Sequence, residues 1–115
     1  MDWWTMLKGI VSCKGSCDKI EGVAYVLDIN KSNLNVKLDS SKDILVIPYT
    51  YIDLEEIMKN AKAIITERGG ILSHAAIFSR EFGVPCVVSV KDVCSKLKNG
   101  DNIEIDLLTG EINIK

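Results

Sequence analysis

The chain has 115 residues, 47% of them hydrophobic and 26% charged, with a formal net charge of −2. That length is one domain's worth, and the apolar content excludes a disordered chain. The scattered Lys and Arg give no electrostatic case for nucleic acid or an anionic membrane, and no apolar run approaches the roughly 20 residues of a membrane span.

Residues 1–6 read as a flexible or partner-contacting end. Trp3 and Trp4 either fold back over the core or anchor an interface. The start carries an acid and no basic region, so it makes a poor signal peptide, and the expected compartment is the cytoplasm. An apolar run begins at Lys8–Ser12 and is broken by small polar residues from Cys13 to Asp18. Residues 23–27, Val-Ala-Tyr-Val-Leu, are strand formers, and 30–33 read as a turn. Leu34 to Leu38 alternates apolar and polar, as a half-buried strand does. After a turn at 39–42, Ile44 to Ile47 is continuously apolar, the pattern of a strand buried on both faces, and Pro48 ends it.

A first helix is expected over 53–61, with Leu54, Ile57, Met58 and Ala61 at helical spacing and acids in the first turn. Ala63 to Ile65 is the next strand. A second helix follows over 75–82, with Ser73 near its N-cap and Gly83 as its stop; Ile77, Phe78 and Phe82 form its apolar side. Residues 86–88 are a further strand, 93–97 a short helix, and 103–107 with 111–114 a terminal hairpin. The sum is one α/β domain over 1–115.

The four cysteines, Cys13, Cys17, Cys86 and Cys94, have no zinc-site spacing and read as free thiols, Cys86 in the core. The chemistry concentrates instead in residues 66–74, Thr-Glu-Arg-Gly-Gly-Ile-Leu-Ser-His, which hold the only histidine. A glycine turn followed by a helix start is an anion site, because the first helix N–H groups lack partners and the helix dipole favours negative charge. Neutral imidazole there is a nucleophile suited to phosphoryl chemistry. Two other readings stay open on the residues alone: His74 as a metal ligand, for which helical spacing supplies no companions beyond Glu81, and His74 as a helix cap or packing group.

Thr66, Gly69, Gly70, Ser73, His74, Ala75, Ala76, Ile77, Arg80, Glu81, Gly83, Val84 and Pro85 together resemble the phosphohistidine signature of the phosphoenolpyruvate-utilising enzymes' mobile domain. This is the swivelling domain of phosphoenolpyruvate synthase, pyruvate phosphate dikinase, rifampin phosphotransferase and enzyme I. Weaker similarity runs from Gly9 to Ile114, with Cys13 where the family usually has proline. The resemblance implies a swivelling β/β/α phosphohistidine fold. It implies that His74 takes a phosphoryl group at its ε nitrogen, that Thr66 orients the imidazole, and that Gly69, Gly70 and Ser73 shape the loop and contact the phosphoryl group. Arg80 either neutralises charge there or pairs with an acid such as Glu81.

No nucleotide-binding motif accompanies the signature. The expectation is therefore a stand-alone carrier that binds no cofactor itself. Mg2+ with ATP or phosphoenolpyruvate would sit on nucleotide-binding or phosphoenolpyruvate-binding partner proteins. The alternative is a non-catalytic regulatory or interaction subunit that retains the fold, with Trp3 and Trp4 as its contact.

Overall fold

Among the described residues, eight strands form one mixed sheet in the order β1-β8-β7-β3-β4-β5-β6-β2. Their ranges are β1 Leu7–Lys8, β2 Ile10–Cys13, β3 Lys19–Val26, β4 Asp43–Ile47, β5 Ala63–Thr66, β6 Cys86–Val88, β7 Asn102–Asp106 and β8 Glu111–Ile114. The computed structural model describes residues 7–28 and 36–115. The expectations placed on Trp3, Trp4, the 30–33 turn and residues 34–35 lie outside those residues.

Strands β3, β4, β5 and β6 run parallel, and the remaining pairs are antiparallel. Parallel steps need crossovers, and helices supply two of the three. Helix α1 (Glu55–Met58) joins β4 to β5, and α2 (His74–Phe82) joins β5 to β6. A third, α3 (Val93–Lys96), precedes the terminal hairpin of β7 and β8.

The apolar runs explain the layers. Ile44 and Val46 of β4, Ala63 and Ile65 of β5 and Val87 of β6 face one core with Ile103, Ile105 and Ile112 of the hairpin. The alternate residues Leu45, Ile47, Ile64, Cys86 and Val88 face a second core with Leu54, Ile57, Met58, Ala75, Ala76 and Phe78. The central strands are therefore buried on both sides and read as unbroken apolar runs, while β7 alternates Ile103 and Ile105 with the half-exposed Glu104 and Asp106.

Only Gly9 separates β1 from β2, yet these two strands lie at opposite ends of the sheet order. The sheet therefore curls until one N-terminal segment serves both edges. The closure is tight at Gly9, whose N–H donates to the Gly110 carbonyl at 3.0 Å. A Cβ on Gly110, which has φ +85°, would come 2.2 Å from the Gly9 carbonyl oxygen, so both positions need glycine.

Three expectations change. Val36 to Leu38 is not a strand, although Leu38 is buried against the second core; its alternation reflects a packed connection. The 53–61 helix is shorter. A 3-10 turn at Ile52–Leu54 leads into α1, and after Met58 the chain tightens to i→i+3 bonds, Asn60 N–H to Ile57 and Ala61 N–H to Met58, as it turns toward β5. Its apolar face is as expected, with Leu54, Ile57, Met58 and Ala61 all buried. On α2 the buried residues are Ala75, Ala76, Phe78 and Ser79, whereas Ile77 and Phe82 are each half exposed. Phe82 instead lies against Phe78 at the helix rim, with the Lys59 ammonium over its ring.

Candidate functional site

The site lies at the carboxyl ends of β4 and β5. Parallel neighbours end at the same edge, so the segment after β4 and the loop after β5 emerge side by side, the usual place for a site in such sheets. Backbone bonds stitch them together: Glu67 N–H donates to the Ile47 carbonyl at 3.1 Å and Arg68 N–H to the Pro48 carbonyl at 2.8 Å.

The loop then turns at Gly69, whose φ is +103°. A Cβ there would lie 2.9 Å from the Ser73 Cβ and 3.0 Å from its Oγ, so glycine is required both for the backbone and for the space. Gly70 has open space around it. Ser73 N–H closes the turn on the Gly70 carbonyl at 3.0 Å, the Ser89 hydroxyl donates to the Gly69 carbonyl, and Arg80 Nη2 donates to the Ile71 carbonyl at 2.7 Å. The Arg80 guanidinium thus holds the loop against α2.

Ser73 caps α2 as its sequence position suggests, its Oγ accepting from the Ala76 N–H at 3.4 Å. Gly83 ends the helix in the left-handed conformation, φ +70°. His74 is the first helical residue, its side chain 28% exposed. Nδ1 is 2.8 Å from Thr50 Oγ1 and Nε2 is 2.7 Å from Glu55 Oε2, and the ring tilts against Phe78. Each ring nitrogen therefore has a side-chain partner.

Of the residues singled out in sequence, Gly69, Ser73, His74 and Arg80 meet in this loop and helix start. Thr66 is fully buried, and its hydroxyl has no hydrogen-bond partner. It is Thr50 and Glu55, both missed in sequence, that hold the ring. They lie 24 and 19 residues before His74, beyond any local spacing rule. Glu55 read as a first-turn helix acid and Thr50 carried no signal; only the parallel pairing of β4 with β5 brings them to the histidine.

All four cysteines are free thiols. Burial pushes the Cys86 thiol up from its ordinary range. Among the described residues no three His, Cys, Asp or Glu side chains converge on a metal position, and no helix is long and apolar enough to cross a membrane.

Residues 39–110 match the family described as PEP-utilising enzyme, mobile domain. The sequence is 52% identical over 64 residues to a probable phosphoenolpyruvate synthase of Pyrococcus horikoshii, covering 56% of this chain and 8% of that one. It is 45% identical over 104 residues to the phosphoenolpyruvate synthase of Deinococcus radiodurans, covering 90% and 13%. The chain thus spans a small part of the length of these curated relatives. A solution structure of Enzyme I superposes with a TM-score of 0.58 at 27% identity, over 72% of this chain and 34% of that one. Aconitase X of Thermococcus kodakaraensis shares the fold, with a TM-score of 0.68 at 23% identity over 96% and 98% of the two chains.

Proposed function

The chain belongs to the mobile-domain family of phosphoenolpyruvate-utilising enzymes, and from that premise we propose that it is a phosphohistidine carrier working between separately folded donor and acceptor sites. The observation that carries this reading is the single histidine at the mouth of α2, part exposed and gripped at both ring nitrogens beside a glycine turn. In the transfer, the Nε2 lone pair bonds phosphorus while the P–O bond to the leaving group breaks, its electron pair departing with the oxygen.

Around that step each residue has a proposed part. Gly69 and Gly70 keep the loop open beside the ring. Ser73 fixes the helix start, whose remaining N–H groups and dipole favour the phosphoryl oxygens. Arg80 holds the loop closed through Ile71 and adds positive charge. The Thr66 hydroxyl is buried and makes no bond to the ring, so the orienting part falls to Thr50. We assign the Mg2+ that accompanies ATP or phosphoenolpyruvate to the partner sites.

An apolar rim supports a protein partner. Ile71 and Leu72, on the loop just before the histidine, are 56% and 81% exposed, and Ile52, between Thr50 and Glu55, is 75% exposed. Apolar side chains grouped around a reactive group suit docking against another protein surface.

The test is intact-protein mass after incubation with an extract of the source cells plus ATP or phosphoenolpyruvate, kept at neutral to alkaline pH because phosphohistidine is acid-labile. One added phosphoryl mass, lost on acid treatment and absent in His74→Ala, is expected. Incorporation that persists in His74→Ala overturns the assignment.

A further inference from the structure

We propose that Glu55 masks the acceptor nitrogen of His74, holding the ring in the tautomer that cannot attack phosphorus until the carboxylate is drawn away. The proposal rests on His74 as the phosphoryl acceptor and adds a regulation of that site. An ionised carboxylate only accepts hydrogen bonds, so the 2.7 Å contact from Glu55 Oε2 puts a proton on Nε2. In the neutral ring Nδ1 then accepts from the Thr50 hydroxyl across 2.8 Å. Glu55 selects this tautomer, and Thr50 accommodates it.

That tautomer is inert at Nε2. The lone pair needed for attack is replaced by the N–H bond, and the line of approach ends on a carboxylate oxygen. A phosphoryl group arriving there also meets the Glu55 charge, which repels it.

The two partners differ in what they permit. A threonine hydroxyl donates or accepts according to how its hydrogen turns, so Thr50 serves either tautomer without moving. Glu55 serves only one. Its side chain is 35% exposed at the start of the short α1, so it is free to swing toward solvent. Release runs as follows in protons. Nε2 gives its proton to water, Nδ1 takes one from water, and the ring stays neutral. The freed Nε2 lone pair then bonds phosphorus as the leaving oxygen departs, while Nδ1–H donates to Thr50.

A phosphate-donor site is itself built from cations. Arg, Lys or a metal ion in the donor site would draw the Glu55 carboxylate off the ring, so the histidine is unmasked where the phosphoryl group is offered.

The full chain has one histidine, so long-range 1H–15N NMR reads a single ring. At mildly alkaline pH the wild type should show the Nε2–H tautomer. Glu55→Ala, which removes the acceptor and supplies no other, should raise the Nδ1–H form. Potassium phosphoramidate, a small phosphoryl donor that needs no partner, should label the alanine variant about fivefold faster than wild type, the size expected for a part-exposed charged hydrogen bond. A wild-type ring in the Nδ1–H form overturns the mask, as do equal labelling rates. If phosphoramidate labels neither protein, the tautomer spectra alone decide. Neither measurement uses a partner protein. An Nε2–H ring whose tautomer shifts in the variant, together with no partner-dependent mass gain, would keep the mask and remove the carrier reading.

Discussion

Thr50 Oγ1 lies 2.8 Å from His74 Nδ1, although the two residues are 24 apart in sequence. This bond fixes the ring's rotation about its own axis, and with it the direction in which Nε2 points. Thr50→Val keeps the shape and removes the hydroxyl. The expected result is a roughly tenfold fall in the initial rate of phosphate incorporation, the order of one lost positioning hydrogen bond, with the melting temperature little changed. Thr50→Ser should restore most of the rate. A valine variant that is labelled as fast as wild type would show that the contact does not position the ring.

Gly69 and Gly70 stand side by side and should respond differently to the same substitution. At Gly69 an alanine meets a φ of +103° and the Ser73 side chain at 2.9 Å. The expected cost is about 1–3 kcal/mol, seen as a lower urea midpoint, with phosphate incorporation reduced as the loop is displaced. At Gly70 nothing lies within 4 Å of the added Cβ, and φ is outside the left-handed region. Gly70→Ala should stay within about 0.5 kcal/mol of wild type. Equal losses at the two positions would contradict the geometry.

Ser73 tests how far the site depends on its helix. Its Oγ accepts from Ala76 N–H at 3.4 Å, a long cap bond. Ser73→Ala should therefore cost about 1 kcal/mol or slightly less, a fall in melting temperature of about 4 °C for a domain of this size. Because His74 is the next residue, the fraying should also broaden its NMR signals. A sharp, unshifted histidine spectrum in the alanine variant would separate the cap from the site.

Much of this architecture was legible in the chain. Ile44 to Ile47 read as a strand buried on both faces because it is one, with Ile44 and Val46 in one core and Leu45 and Ile47 in the other. Ser73 and Gly83 marked the ends of α2 because capping is local chemistry that a sequence carries directly. What could not be read depends on distant segments meeting. The 53–61 periodicity named the right buried face but not where α1 stops, which is set by the turn into β5. The curl that brings Gly9 against Gly110 is invisible in either local sequence. The same holds for the grip on His74: Thr50 and Glu55 reach the ring only because β4 and β5 pair in parallel and end together.

Cys94 gives a pH dependence of stability that can be checked apart from any phosphoryl chemistry. Burial, and then the negative charge of Glu67, push its thiol from 9.0 to about 11. Glu67 Oε1 also accepts from the Cys94 N–H at 3.2 Å, which keeps that charge nearby. A group whose folded pKa is raised keeps its full contribution below the unfolded value and loses it as pH rises through the folded one. The contribution of Cys94 is therefore complete at pH 8 and should be lost progressively between about pH 9 and 11. Lysines and tyrosines titrate in the same range, so the quantity to measure is the difference in urea midpoint between wild type and Cys94→Ala at several pH values. The wild type should lose stability relative to the variant across that window. A difference that stays constant would mean that the thiol titrates alike in the folded and unfolded chains, and that Glu67 and burial do not act on it.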